Sequence, residues 1–192
     1  MINYLATQKN WQNAFSDTIT SFAELAQALD LPIDSFDSQV GQFPLKVPRR
    51  FVQKMGKGDI HDPLLKQVLP TFLETVQVTG FVTDPLDEQH ANPVKGIIHK
   101  YASRVLIPVT GACVVNCRYC FRQHFDYHEN LPTQNDWQAI SAYITAHPAV
   151  NEVILSGGDP LSLSNRRLLE IFTTLEALPQ VQTIRIHTRV PV

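Results

Sequence analysis

Three short apolar runs, each followed by a polar segment, constrain the fold of this chain more than any other feature. The runs Arg104–Thr110, Glu152–Leu155 and Thr183–His187 have the length and composition of buried strands. The two segments between them carry apolar residues at helical spacing: Trp137, Ile140 and Ile144 in the first, and Leu168, Ile171, Phe172 and Leu175 in the second. This alternation predicts a parallel sheet with right-handed crossovers, and therefore an α/β fold.

Residues 1–95 have a different pattern, in which short helical segments are separated by prolines. Ser21 and Glu24 form a predicted capping box, followed by an apolar helical face. Pro48 is expected to open a second helix, and Asp62 is expected to cap a third one. We therefore expect a helical N-terminal extension over residues 1–95 and an α/β domain over residues 96–192.

The polar segments follow the three predicted strands directly. GACVVNCRYC comes after the first strand, SGGDP after the second and HTRVPV after the third. The carboxyl ends of parallel strands form the edge where α/β barrels and open α/β sheets bind ligands. The sequence therefore predicts one site built from a cysteine motif, a glycine pair and a His/Arg pair.

All three cysteines of the chain, Cys113, Cys117 and Cys120, lie within that first polar segment. Thiolates select zinc, copper or iron–sulfur clusters. A 4Fe–4S cluster usually takes four cysteines, so three would leave one iron open to a small molecule with amino and carboxylate groups. Zinc could instead use His124 as the fourth ligand of a Cys3His site. In a third interpretation the cysteines are a buried helical stripe, although the polar neighbours Asn116 and Arg118 argue against it.

Composition narrows the class of protein. The net charge is −2 and the basic residues are scattered, so we expect no nucleic-acid partner. No segment approaches the ~20 apolar residues that a membrane span needs. The N-terminal stretch MINYLATQKNWQNAF lacks the apolar core of a signal peptide. A cytoplasmic location is the expectation, and clustered thiols in a reducing compartment bind metal more often than they pair.

The spacing C-x3-C-x2-C, with the aromatic Tyr119 before the last cysteine, resembles the motif of the radical S-adenosylmethionine (SAM) superfamily. The segments CRYCFRQHF, SGGDPLSL and RIHTRVPV together resemble the lysine 2,3-aminomutase family, and HDPLLKQVLP and FVTDPLDEQ resemble its N-terminal extension. Tyr119 and Phe121 are most similar to the branch that makes β-lysine for the modification of elongation factor P. The resemblance implies a partial (βα) barrel of the radical SAM type preceded by a helical extension.

The resemblance also implies a role for each matched residue. It makes the three cysteines the ligands of a 4Fe–4S cluster, makes Arg122 the contact of the substrate carboxylate, and places Arg104 near pyridoxal phosphate. The positions that it assigns to SAM are Tyr119, Gly157, Gly158, Asp159, His187 and Arg189. Gln123 stands where the family commonly has a second arginine. The lysine that binds pyridoxal phosphate is expected beyond Val192, so we expect the chain to be an inactive fragment of a longer enzyme.

The implied activity is that of an isomerase, a radical SAM aminomutase that moves the amino group of L-lysine from carbon 2 to carbon 3. An elongation factor P ligase would use the product, and a homo-oligomer is left open. One alternative is a 2,3-aminomutase of metabolism that acts on free lysine or glutamate. An alternative of another class is a non-catalytic zinc-binding Cys3His module.

Overall fold

The computed structural model describes residues 17–36 and 43–190. The N-terminal stretch considered above for a signal peptide and the last two residues of RIHTRVPV lie outside the described residues. The chain divides into two compact units, Met1–Phe81 with Val114–Gln123, and Val82–Cys113 with His124–Val192. The proposed domain boundary at residue 95 stays a prediction.

The first unit is built from short elements around its own apolar core. Strands β1 and β2 pair antiparallel, with Ile19 opposite Val47. Both of these side chains are fully buried, together with Leu25, Leu29 and Leu65. The elements are β1 (Thr18–Ile19), α1 (Phe22–Leu29), β2 (Val47–Pro48), α2 (Arg49–Val52) and the 3-10 helices Ile33–Ser35, Leu65–Gln67 and Phe72–Thr75.

The helix caps of this unit only partly follow the sequence prediction. Ser21 is the N-cap of α1, but its side chain makes no capping hydrogen bond, and Glu24 forms an ion pair with Arg49 instead. The capping box predicted at Ser21 is therefore wrong. The carboxylate of Asp62 accepts hydrogen bonds from the N–H groups of Leu64 and Leu65 at 2.8 and 2.9 Å, although the N-cap of the 3-10 helix that follows is Leu64. Backbone donors, that of Gly56 first, lower the pKa of Asp62.

The second unit contains the predicted parallel sheet. The strands lie in the order β3 (Ile98–Tyr101), β4 (Arg104–Thr110), β5 (Glu152–Gly157) and β6 (Thr183–Ile186). The pairs β4–β5 and β5–β6 are parallel, so the α/β fold class is confirmed. Its helices are α3 (Tyr127–Asn130), α4 (Asp136–Ala146), α5 (Asn165–Glu176) and the 3-10 helices Gln89–Ala91 and Pro160–Ser162.

Strand β3 is the element that the sequence analysis missed. It pairs antiparallel with β4 and occupies one edge of the sheet. Only Ile98 is buried, while Lys100 and Tyr101 are exposed. A four-residue edge strand with one buried side chain has no apolar run for a sequence pattern to detect.

The core of the second unit lies between the sheet and the helices α4 and α5. The predicted face of α4 is confirmed, because Trp137, Ile140 and Ile144 are all buried. On α5, Ile171 and Leu175 are buried, whereas Leu168 and Phe172 are half-buried. Within the described part of the chain, no helix is both long and apolar enough to cross a membrane.

Two leucines of α5 provide a matched test of this packing. Leu175 is fully buried, whereas Leu169 on the same helix is 65% exposed. We expect Leu175→Ala to lower the free energy of unfolding by about 2–5 kcal/mol, because it removes apolar contact and leaves a cavity. Leu169→Ala should change it by less than about 0.5 kcal/mol. Urea unfolding followed by far-UV circular dichroism measures both, and equal effects would contradict the described orientation of α5.

Candidate cofactor site

The end of β5 packs backbone against backbone on the segment that leaves β4. The N–H of Gly158 donates to the carbonyl of Thr110 at 2.6 Å, and the N–H of Asp159 donates to the carbonyl of Ala112 at 2.8 Å. A Cβ on Gly158 would lie 2.3 Å from that Ala112 oxygen, so a side chain there would clash with fixed backbone. Gly157 has φ +108°, which favours glycine, and it too has no room for a side chain. The glycine pair therefore places the start of the cysteine segment beside the end of β5.

Asp159 joins the ends of two neighbouring strands. This residue is 4% exposed. Its Oδ1 accepts hydrogen bonds from the N–H of Leu161 at 3.0 Å and from Oγ1 of Thr188 at 2.6 Å. Its Oδ2 accepts from the N–H of Arg189 at 2.6 Å. Both carboxylate oxygens thus accept hydrogen bonds from groups of the protein. The assignment of Asp159 to SAM stays a prediction.

The segment after β6 is fixed by hydrogen bonds of its backbone and of the Thr188 side chain. The N–H of His187 donates to the carbonyl of Leu155 at 2.9 Å, and the N–H of Val190 donates to Oγ1 of Thr188 at 3.1 Å. His187 is exposed and Arg189 is half-buried. The structure therefore brings His187 and Arg189 to the same sheet edge as Gly157, Gly158 and Asp159, as the strand order predicts.

Arg104 does not join this group. It begins β4, and its partner in the sheet register is Glu152, the first residue of β5. Its Nε lies 3.7 Å from Oε2 of Glu152, and its guanidinium lies over the ring of Tyr101. The amino end of a seven-residue strand is about 20 Å from its carboxyl end. This geometry fits an arginine whose charge is balanced by Glu152 at the start of a strand, and the assignment of Arg104 to pyridoxal phosphate stays a prediction.

The cysteine motif lies in irregular backbone, so the interpretation as a helical stripe is wrong. Cys117 is buried, Cys113 and Cys120 are partly exposed, and none of them forms a disulfide. Among residues 17–36 and 43–190, no three His, Cys, Asp or Glu side chains are grouped to hold a metal ion. The donor set itself, three thiols in eight residues, fits an iron–sulfur cluster. His124, the fourth ligand of the zinc alternative, belongs to the second unit, with Cys113.

The residues around the second and third cysteines differ in exposure. Tyr119 and Phe121 are 58% and 46% exposed. Arg122 is buried, and its guanidinium lies 4.7 Å from the centroid of the Phe121 ring. These exposures match the roles that the resemblance implies, a ring available to a ligand and a shielded guanidinium, but the roles themselves stay predictions.

Sequence reasoning missed the partner of Arg118. The guanidinium of Arg118 forms a two-pronged contact with the carboxylate of Glu74. Thr71 and Glu74 form a capping box, and the spacing T-x-x-E is the signal that could have drawn attention to this segment.

Comparison with known proteins agrees with the motif and the strand-end geometry. Residues 107–192 match the family model of the Radical SAM superfamily. That stretch of the chain is similar to a radical SAM domain. Similarity to this superfamily implies a 4Fe–4S cluster and SAM as cofactors, and this match favours the cluster over the zinc alternative.

Several curated relatives of this chain are named L-lysine 2,3-aminomutase. A protein of Haemophilus influenzae is 45% identical over 188 residues, which cover 96% of this chain and 56% of that protein. An Escherichia coli protein is 43% identical over 190 residues, covering 97% of this chain and 55% of the relative. A Clostridium subterminale protein is 31% identical over 192 residues, with 97% and 46% covered. The resemblance to this family is confirmed, and the chain spans about half the length of these relatives.

The bond between Thr188 and Asp159 gives a test of how the strand ends are joined. Thr188→Val removes the donor to Asp159 and the acceptor for Val190, whereas Thr188→Ser keeps the hydroxyl. We expect the valine variant to lose about 1–3 kcal/mol of protection at the amides of residues 189 and 190, because buried polar groups lose partners. The serine variant should keep most of it. Hydrogen exchange resolved by mass spectrometry measures this, and equal exchange in the two variants would contradict the described link.

Proposed function

We propose that the protein containing this chain is a radical SAM aminomutase that converts L-lysine to β-lysine. The observation that carries the proposal is the start of the cysteine motif at the glycine-rich strand end. Cys113 directly follows Ala112, whose carbonyl accepts hydrogen bonds from the N–H of Asp159 and from Oγ of Ser162 at 3.2 Å. A thiol ligand and a glycine pair therefore share one sheet edge of a domain with radical SAM sequence.

The residues of this chain fit the cofactors that the proposal requires. Cys113, Cys117 and Cys120 would hold three irons of the cluster, which leaves the fourth iron for SAM. When bound, the cluster and SAM supply a carbon radical, and pyridoxal phosphate carries the amino group that moves. The protein itself would bind and orient the substrate and the cofactors, and it would exclude water from them.

Several side chains fit roles in binding. The Tyr119 ring is largely exposed, and by resemblance it would lie near the adenine of SAM. Arg122 presents a planar guanidinium in a buried setting, which suits a two-pronged contact with the substrate carboxylate. Gly157 and Gly158 offer backbone without side chains at the edge where a ligand would lie, and His187 and Arg189 border the same edge.

We further propose that β-lysine made by this protein serves the modification of elongation factor P in the cytoplasm, through a ligase partner. Tyr119 and Phe121 support this branch by resemblance. Identity to the Haemophilus and Escherichia relatives is also higher than to the Clostridium relative, 45% and 43% against 31%. A 2,3-aminomutase of free lysine or glutamate remains the second candidate, because Arg122 would bind the α-carboxylate of either amino acid.

Replacement of one thiol tests the cluster. We expect Cys117→Ser, in the complete protein, to abolish cluster assembly, because a hydroxyl is a poor ligand for soft iron. Iron and acid-labile sulfide are measured after anaerobic reconstitution. Wild-type content in the variant would contradict the ligand assignment, and a colourless chain that binds zinc instead of iron would favour the zinc module.

Replacement of Arg122 tests substrate binding and the activity together. We expect the wild-type complete protein to form β-lysine from L-lysine, and Arg122→Met to retain the cluster but to raise KM or lower kcat. A charge-assisted contact contributes ~1.5–3 kcal/mol, or roughly ten- to a hundred-fold. Arg50→Met, at an exposed arginine of the same unit, is the matched control.

Two arms of this assay separate the candidates. Glutamate offered in place of lysine distinguishes the substrates. A coupled reaction with elongation factor P and its ligase shows whether the product is loaded onto that protein. Unchanged kinetics in Arg122→Met would show that Arg122 does not face the substrate, and turnover of glutamate in preference to lysine would contradict the main proposal.

A further inference from the structure

Arg118 is a cation with a largely buried side chain, and it lies between two of the cysteines in the sequence. Its side chain is 7% exposed. Its Nε donates to Oε1 of Glu74 at 2.8 Å, and its Nη2 donates to Oε2 of the same carboxylate. Its Nη1 donates to the carbonyl of Phe43 at 3.0 Å, and the guanidinium lies 5.0 Å from the centroid of the Phe43 ring. All three nitrogens of the guanidinium therefore have a partner in the first unit.

Glu74 is itself held in place by the local backbone. It lies in the 3-10 helix Phe72–Thr75, where it forms a capping box with Thr71. The Oε1 atom that receives Arg118 also accepts the N–H of Thr71 at 3.3 Å. The capping box therefore fixes the orientation of the Glu74 carboxylate, which accepts the hydrogen bonds of the guanidinium in that orientation.

The backbone next to Arg118 is tied to the same unit. The N–H of Arg118 donates to the carbonyl of Gln67 at 2.8 Å, and the N–H of Asn116 donates to the carbonyl of Lys46 at 2.9 Å. Nδ2 of Asn116 donates to the carbonyl of Pro44 at 3.0 Å. These bonds lie one residue to either side of Cys117, so the position of that thiol depends on them.

We propose that the ion pair of Arg118 with Glu74 is a positioning device, which holds the segment with Cys117 and Cys120 in place so that these two thiols can take up the cluster. This inference rests on the proposed function, because it takes both cysteines as cluster ligands. Arg118 is a positioning residue here and contacts no reacting atom.

Physical reasons favour positioning over simple stabilisation. A buried ion pair adds little net stability, because removing both charges from water costs about as much as their attraction returns. A planar fork that engages a carboxylate at two atoms and a carbonyl at a third fixes orientation strongly. Since Arg118 follows Cys117 directly and precedes Cys120 by two residues, a shift of its backbone moves both thiols.

The test uses the complete protein and readouts that do not depend on activity. The variants are Arg118→Met, Arg118→Lys, Glu74→Gln and the double variant Arg118→Met/Glu74→Gln. The control is Lys57→Met, which breaks an exposed ion pair with Asp30 in the same unit. Before reconstitution, the alkylation rates of Cys117 and Cys120 and the amide exchange of residues 116–120 are measured. The rate of iron and sulfide uptake is measured afterwards, and far-UV circular dichroism confirms that each variant is folded.

We expect Arg118→Met and Glu74→Gln to raise alkylation of Cys117 and amide exchange by about tenfold, equivalent to the loss of one charge-assisted hydrogen bond. Both variants should also take up iron and sulfide more slowly. Arg118→Lys should fall between wild type and Arg118→Met, since lysine keeps the charge but loses the fork. The double variant should resemble the single ones, because the residues act as a pair. Lys57→Met should match wild type.

Wild-type alkylation and exchange in folded Arg118→Met would overturn the inference. Faster alkylation with an unchanged rate of cluster uptake would overturn it as well, because the pair would then order the segment without serving the cluster. Failure of the wild-type protein to bind iron and sulfide would instead contradict the proposed function. The thiol and amide measurements are made before reconstitution, so the two failures are distinguishable.

Discussion

The close contact between the end of β5 and the backbone leaving β4 is the constraint on which the candidate site depends. Two backbone hydrogen bonds, from Gly158 to Thr110 and from Asp159 to Ala112, hold these two segments of the chain together. The segments are so close that a Cβ on Gly158 would not fit between them. The parallel register alone would bring the strands together as far as Thr110 and Gly157. The two hydrogen bonds continue the contact beyond the last paired residues, as far as Ala112. The backbone directly before Cys113 is therefore fixed in position. Asp159 in turn accepts hydrogen bonds from Thr188 and Arg189, which lie in the segment after β6.

Much of this arrangement is readable from the sequence because it depends on local patterns. The apolar run Arg104–Thr110 coincides with β4, and the helical spacing of Trp137, Ile140 and Ile144 gives the buried face of α4. These signals are strong because every inward position is apolar. Strand β3 has one buried residue, and the ion pair of Glu24 with Arg49 depends on a residue that is distant in the chain. Local rules cannot detect either feature, since both are decided by tertiary contacts.

The residues of the candidate site also divide into those whose position the sequence predicts and those whose position it does not predict. Gly157, Asp159, His187 and Arg189 meet at one edge because each follows or ends a parallel strand, and the order of the strands could be predicted. By the same rule Arg104, the first residue of a parallel strand, lies at the opposite edge of the sheet. Its assignment to pyridoxal phosphate rests on the family resemblance and stays a prediction. Glu74 and Arg118 are separated by 44 residues, so their pairing is visible only in the folded chain.

Arg118 and Asp159, whose side chains are largely buried, act through geometry more than through their electric field. Glu74 neutralises Arg118 at contact distance, so the pair has little net charge with which to stabilise nearby thiolates. Asp159 is likewise surrounded by donors from Leu161, Thr188 and Arg189. In each case a buried ion costs desolvation energy and in return fixes the relative position of segments that are distant in sequence. The proposed function needs cysteines held at fixed positions, and of these two charges Arg118 lies within the cysteine motif and Asp159 follows it in the chain. Their loss should therefore loosen the segments that they join before it unfolds either unit.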